Sequence, residues 1–157
     1  MEPFTGKDID QIVEHNAQHM LRAAYAVLHS NSDAQDAVQD AFLILLKKQP
    51  TFRDASHEKA WLLRVTINIA KNEAKRKRRF ADEPPQETAA PESGEDVLSF
   101  VLQLPEPYRI VIHLYYYEGY SIQEIARLLH LPAATVGTRL ARGRKQLKTM
   151  LEQEDAK

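Results

Sequence analysis

No cysteine occurs in the 157 residues, which excludes a disulfide scaffold, a thiolate zinc site and a cysteine nucleophile. Glycine is scarce as well. There are five, none in a phosphate-cradling loop, and with no nucleophile and base set beside them an enzyme is not expected. No apolar run approaches the roughly 18 residues that span a bilayer, and Met1 to Asp8 lack a basic stretch followed by an apolar one. The expectation is a soluble, cytoplasmic protein. Of the six histidines, His15 and His19 form an i, i+4 pair, without the glutamate of a metalloprotease helix, so neither a metal nor a cofactor is expected.

Excess charge of one sign is also lacking: the net charge is -1. Its distribution is far from even. Lys59, Arg64, Lys71, Lys75, Arg76, Lys77, Arg78 and Arg79 face only Glu73 between Lys59 and Phe80, and Arg139, Arg142, Arg144, Lys145 and Lys148 face no acid between Leu131 and Lys148. The compensating acids Asp82, Glu83, Glu87, Glu92, Glu95 and Asp96 lie between the two basic stretches. Two basic helix ends joined by an acidic strap point to two nucleic-acid-contacting modules.

Residues 81–96 combine Pro84, Pro85 and Pro91 with acidic and small residues and little apolar periodicity, the composition of a flexible linker. The expected organisation is all-α, with two small helical domains at 1–80 and 97–157 joined by this linker. Domains of this size lie near the lower limit for independent folding. In the first domain, Ile9, Ile12, Val13, Ala17, Met20, Leu21, Ala24 and Leu28 recur at helical steps, and the helix stops near Ser30 and Asn31. Ser32 and Gln35 read as a capping box for a second helix with an apolar face of Val38, Ala41, Phe42, Leu45 and Leu46. Pro50 ends it, and a polar loop leads to a third helix from near His57 with Trp61, Leu62, Val65 and Ile69 as its buried stripe.

The second domain begins with a short helix from Val97 to Leu104. Pro107 suits a first helical position, and a helical pattern runs on to Glu118, where Gly119 is a left-handed cap. Ser121 and Glu124 form a capping box, and His130, Leu131 and Pro132 make a tight break. Beyond it, Val136, Leu140, Leu147 and Leu151 share one face of a basic helix, the pattern of a helix-turn-helix.

The run Lys75 to Arg79 reads either as a solvated helix end or as a phosphate-binding segment. Five adjacent like charges repel, and phosphate relieves that repulsion. Trp61 reads first as a core residue, whereas Asn68 and Asn72, poor interior helix residues, suggest a polar role. Asp36, Gln39 and Asp40 share a face that reads as solvated, as a carboxylate pair or, beside Phe42 and Leu43, as a protein-binding surface.

The residues Ser32 to Phe42 resemble the polymerase-binding helix of extracytoplasmic-function sigma factors in the sigma-70 family of bacterial RNA polymerase. Trp61 to Asn72 resembles that family's promoter-melting helix, and Leu104 to Arg109 with Tyr117 to Ala126 resembles the start of its minus-thirty-five domain. The resemblance implies a transcription initiation factor that binds core RNA polymerase and directs it to promoter DNA. It implies that Asp36, Gln39, Asp40 and Phe42 contact the polymerase. Trp61, Arg64, Asn68, Lys71, Asn72, Lys75, Arg76, Arg78 and Arg79 would contact the minus-ten element, with loop residues 52–58 and the two asparagines holding one unstacked base. Thr135, Thr138, Arg139, Arg142 and Lys145 would contact the minus-thirty-five element. It also implies an anti-sigma partner, often membrane-anchored, with no insertion of this chain.

Three positions depart from the family pattern. Gly137 stands where a Lys or Arg is common, His130 replaces a frequent turn glycine, and Ala141 is smaller than usual. The competing reading is a helix-turn-helix regulator that binds operators without polymerase. It accounts for the second domain and leaves the basic third helix of the first without a purpose. A protein-only adaptor fails on the acid-free basic helix, and a nuclease would need more than Asp36 and Asp40 as metal ligands.

Overall fold

The computed structural model of the protein describes residues 6–80 and 97–155, so the expected linker at 81–96 lies outside the described residues. The described elements are helical, and the chain divides into two compact units, Met1–Pro85 and Gln86–Lys157.

The first unit holds α1 (Gly6–Leu28), α2 (Asn31–Lys48) and α3 (Ala55–Phe80), each packed against the other two. Ile12, Met20, Ala41, Leu45 and Leu62 form its centre, with Val38, Phe42, Phe52 and Trp61 packed around them. Much of the contact is made by alanine: Ala23, Ala24, Ala34, Ala37, Ala41 and Ala70 are all buried. Such short side chains let helix backbones approach closely, and close packing of this kind tolerates little change in volume.

The caps differ from the expected ones. α2 is capped by Ser30, whose Oγ accepts from the Asp33 amide, not by Ser32. α3 begins at Ala55 because the Asp54 carboxylate accepts from the His57 amide at 2.8 Å, so the helix takes in Ala55 and Ser56 of the expected polar loop. Its buried stripe is Leu62, Leu63, Thr66, Ile67 and Ala70. Trp61, Val65 and Ile69, expected within the stripe, are half-buried at its edge.

The second unit holds α4 (Val97–Leu102), α5 (Glu106–Ile112), a π-helical turn (His113–Tyr117), α6 (Ile122–Leu129) and α7 (Ala133–Asp155). Leu104, Ile110, Val111, Leu114, Ile125, Val136 and Leu140 are its core. Pro107 is the second helical residue of α5, since Pro105 is the cap. The continuous helix expected up to Glu118 widens instead at His113: the Glu118 amide donates to the His113 carbonyl at 3.1 Å, and the His113 ring stacks on Tyr117. Gly119 then ends the segment at φ 76, and the Tyr120 amide returns to the Leu114 carbonyl at 3.0 Å.

Candidate nucleic-acid and protein interfaces

An α-helix turns by about 100° per residue, so a surface can be followed along it by arithmetic. On α3, Trp61, Arg64, Asn68, Lys71, Asn72, Lys75 and Arg79 fall within an arc of about 100°. That face lies opposite the buried stripe. Asn68, Asn72, Lys75, Arg78 and Arg79 are exposed, and Trp61, Arg64 and Lys71 are half-buried on the same side. Apolar packing on one side of the helix thus turns amides and cations outward on the other, where they can meet bases and phosphates.

Glu58 and Asn68 are ten residues apart on one continuous helix, a separation of about 15 Å, and Asn72 is about 6 Å further. The loop before α3 and the two asparagines are thus spread along the helix axis, with Trp61, which meets Phe52, between them. They can meet successive nucleotides of an extended strand. The loop end has its own aromatic cluster, in which Phe52 meets His57 edge-on at 5.4 Å and Trp61 at 5.7 Å. The Arg53 amide donates to His57 Nδ1 at 3.0 Å, which fixes that ring nitrogen as an acceptor. Asn16, buried on α1, donates to the Glu58 carboxylate at 3.0 Å and ties this corner to the rest of the bundle.

On α2, Asp36, Gln39 and Asp40 are exposed and share one face, continued by Leu43, which is 59% exposed, and Leu46. Phe42 is set apart from them. It lies about 120° round the helix from Asp36 and packs half-buried against the core. The apolar members of the outer face are Leu43 and Leu46.

Between α2 and α3 runs a groove of about 320 Å³ lined by Asp33, Asp36, Gln39 and Asp40 from one helix and Ile69, Glu73 and Arg76 from the other. Arg76 chelates the Glu73 carboxylate, with its closer contact at 2.6 Å, and this hydrogen bond holds the Glu73 carboxyl below the usual carboxylate range. Lys77 turns towards α2 and pairs with Asp33. Asp33 and Glu73 carried no role in the sequence reading. The signal for Lys77 is its position about 160° round α3 from Trp61, on the helix's inner side.

In the second unit, α6 and α7 are joined through His130, whose φ of 57 places a non-glycine residue in the left-handed region. Its amide and that of Leu131 both donate to the Ala126 carbonyl. The capping box is formed in both directions: the Ser121 amide donates to Glu124 at 3.0 Å and the Glu124 amide to Ser121 Oγ at 3.1 Å. Val136, Leu140 and Gly143 bury one side of α7. Thr138, Arg142 and Lys145 are exposed on the other, with Thr135 and Arg139 half-buried at its margins. Thr138 Oγ1 donates to the Ala134 carbonyl at 3.0 Å, which leaves its lone pairs outward as acceptors. Arg144 lies elsewhere, over the rings of Tyr115 and Tyr116. At Gly137 an added β-carbon would meet nothing, so this stretch of the helix surface is open.

Two family models match this arrangement, sigma-70 region 2 over residues 12–80 and sigma-70 region 4 over residues 94–147. The chain belongs to the sigma-70 family. Its relatives place it among the extracytoplasmic-function sigma factors. The factor SigE of Mycolicibacterium smegmatis is 29% identical over 90% of this chain, which spans 61% of the length of that relative. Among solved structures, CnrH in complex with the cytosolic domain of CnrY is 26% identical with a TM-score of 0.70, covering 95% of this chain and 90% of that one. The sigma factor RpoE in complex with the anti-sigma factor NepR from Bartonella quintana shares the fold, with a TM-score of 0.75 at 24% identity over 93% of this chain and 98% of that one. Region 2 is thus the three-helix unit and region 4 the helix-turn-helix unit. Among the described residues no helix is long and apolar enough to cross a membrane.

Proposed function

We propose that this chain is an alternative sigma factor that binds core RNA polymerase through the outer face of α2 and reads promoter DNA with α3 and α7. The observation that carries the reading is the division of labour within region 2. One helix turns Asp36, Gln39, Asp40 and Leu43 to solvent, while the next turns out Asn68, Asn72 and the cations that follow. An operator-binding regulator needs only the helix-turn-helix of region 4. The acidic and apolar face of α2 has the composition of a protein-binding patch, and the basic face of α3 that of a single-strand binder.

In this reading the Phe52, His57 and Trp61 cluster and the Asn68 to Asn72 face meet successive nontemplate nucleotides, and Lys75, Arg78 and Arg79 grip phosphates. Thr135, Thr138, Arg139, Arg142 and Lys145 face the major groove at the minus-thirty-five element. An anti-sigma factor is a further partner in this reading, one that would compete with polymerase for these surfaces. The site of action is the cytoplasm, and no catalytic role belongs to the protein.

The test is transcription by purified core polymerase with and without the chain, with the transcripts sequenced. Discrete new start sites sharing upstream elements are expected. Asp36→Arg/Asp40→Arg should remove them together with polymerase pull-down while the helical signal in circular dichroism is kept. Full initiation by that double variant would defeat the assignment of α2.

A further inference from the structure

The basic end of α3 projects beyond its own core. Ala70 is the last buried residue of the helix, and Lys75 to Phe80 are all exposed. Five adjacent cations there repel one another, which disfavours the compact helical backbone that carries them. Yet the helix continues to Phe80. Within this stretch Lys77 points back to α2 and pairs with Asp33, across 44 positions of sequence, and Glu73 neutralises Arg76 one turn earlier. Asp33 is 20% exposed in its side chain and Lys77 45%, so the acid is partly shielded while the ammonium stays open to solvent.

We propose that Asp33 and Lys77 are positioning residues for promoter binding. Their ion pair is a clasp that holds the last two turns of α3 helical against α2, and so aims Lys75, Arg78 and Arg79. This extends the sigma-factor reading and rests on it for the DNA step alone. It makes a prediction whose sign simple electrostatics does not share. Removing the Asp33 charge makes the protein more basic, which alone would strengthen contact with phosphate. If the clasp positions the cations, the same change weakens promoter use, because cations on a frayed helix end no longer share one face.

The test is hydrogen exchange on the full chain, paired with initiation at promoters selected by the wild type under saturating core polymerase. Asp33→Asn should speed exchange at residues 74–80 by about two- to fivefold, the range of a partly exposed ion pair, and lower initiation by a similar factor. Since Asp33 also lies in the first turn of α2, Lys77→Gln provides a second variant that leaves that helix intact. It should raise exchange over the same residues, and Asp33→Asn/Lys77→Gln should add little to either single change. The exchanged pair Asp33→Lys/Lys77→Asp should recover protection and initiation. Unchanged exchange in both single variants, or higher initiation by Asp33→Asn, would overturn the clasp. Absence of initiation by the wild type would instead defeat the sigma-factor reading and leave the exchange result standing.

Discussion

A β-carbon placed at Gly143 would lie 3.0 Å from Cγ1 of Ile112 and 3.2 Å from its Cδ1. Ile112 is buried at the end of α5, so α7 rests on α5 at this point with no room for a side chain. Gly143→Val should therefore cost about 1–3 kcal/mol by overpacking. Gly137, on the same helix, has open space around it, and Gly137→Ala should add about 0.5–1 kcal/mol through helix propensity. Urea unfolding of the two full-length variants reads both. A neutral Gly143→Val would mean that the two helices do not approach so closely.

The Asn16 side chain is 2% exposed and donates to both the Ile12 carbonyl and Glu58. Asn16→Ala should cost about 1–3 kcal/mol, because the Glu58 carboxylate loses a donor in a part-buried setting. Asn16→Asp should cost more at neutral pH, where two carboxylates would face each other, and the difference should shrink as acid protonates them. Denaturation at pH 7 and at low pH distinguishes the two. Equal losses at both pH values would remove the Glu58 contact from the explanation.

Much of this was legible in the sequence because apolar residues at helical spacing mark a buried stripe wherever a helix is amphipathic. Ile125, Leu128, Val136 and Leu140 are buried as their spacing demands, and the Ser121 and Glu124 capping box closes as its residue types suggest. The errors arose where tertiary packing chose between nearby options. Trp61 yields the centre of the stripe to Leu62 and Leu63, since a large ring fits better at the margin beside Phe52. Ser30 displaced Ser32 as cap because α1 ends at Leu28, leaving a very short connection. The π-helical turn at His113 has no local sequence signature, because it lies in the backbone bond from Glu118 to the His113 carbonyl and not in a residue type. The Asp33 and Lys77 pair joins residues too distant in sequence for periodicity to bring them together.

Ser121→Ala should lower the stability of region 4 by about 1 kcal/mol, the usual worth of an N-cap. Hydrogen bonds from the Ser121 amide and then from the Ser121 hydroxyl hold the Glu124 carboxyl below its ordinary value of 4.5. A lowered carboxylate contributes stability that is full above that ordinary value and is lost as pH falls through the lowered one. Glu124→Gln should accordingly flatten the acid side of the pH-stability curve while changing little in shape above pH 5. Parallel curves for wild type and variant between pH 5 and pH 3 would show that the box contributes nothing through this charge. At the other end, burial first and then Glu118 and Glu124 push the Tyr120 hydroxyl up to about 12, so this tyrosine should not ionise with the exposed tyrosines in an alkaline absorbance titration.

Asn68 separates a sigma factor from a duplex-reading regulator most sharply. It is exposed on the outward face of α3, seven residues beyond Trp61 and four before Asn72, a rise of about 10 Å along the helix from Trp61 of the Phe52 cluster. An operator-binding protein reads closed duplex and has no use for an amide aimed at an unpaired base. A sigma factor must hold the nontemplate strand as the duplex opens, and flipping a base costs a few kcal/mol that base contacts offset. Asn68→Ala should keep polymerase binding and minus-thirty-five recognition and should reduce open-complex formation by roughly tenfold, as loss of one base contact of about 1–2 kcal/mol requires. With the strand extended along α3, Phe52→Ala should impair melting at a different thymine from the one affected by Asn68→Ala. Permanganate footprinting on a promoter found by transcript sequencing reads both positions. The same thymine altered in both variants would mean that the loop and Asn68 hold one base together, and melting by Asn68→Ala equal to wild type would remove Asn68 from the reading surface.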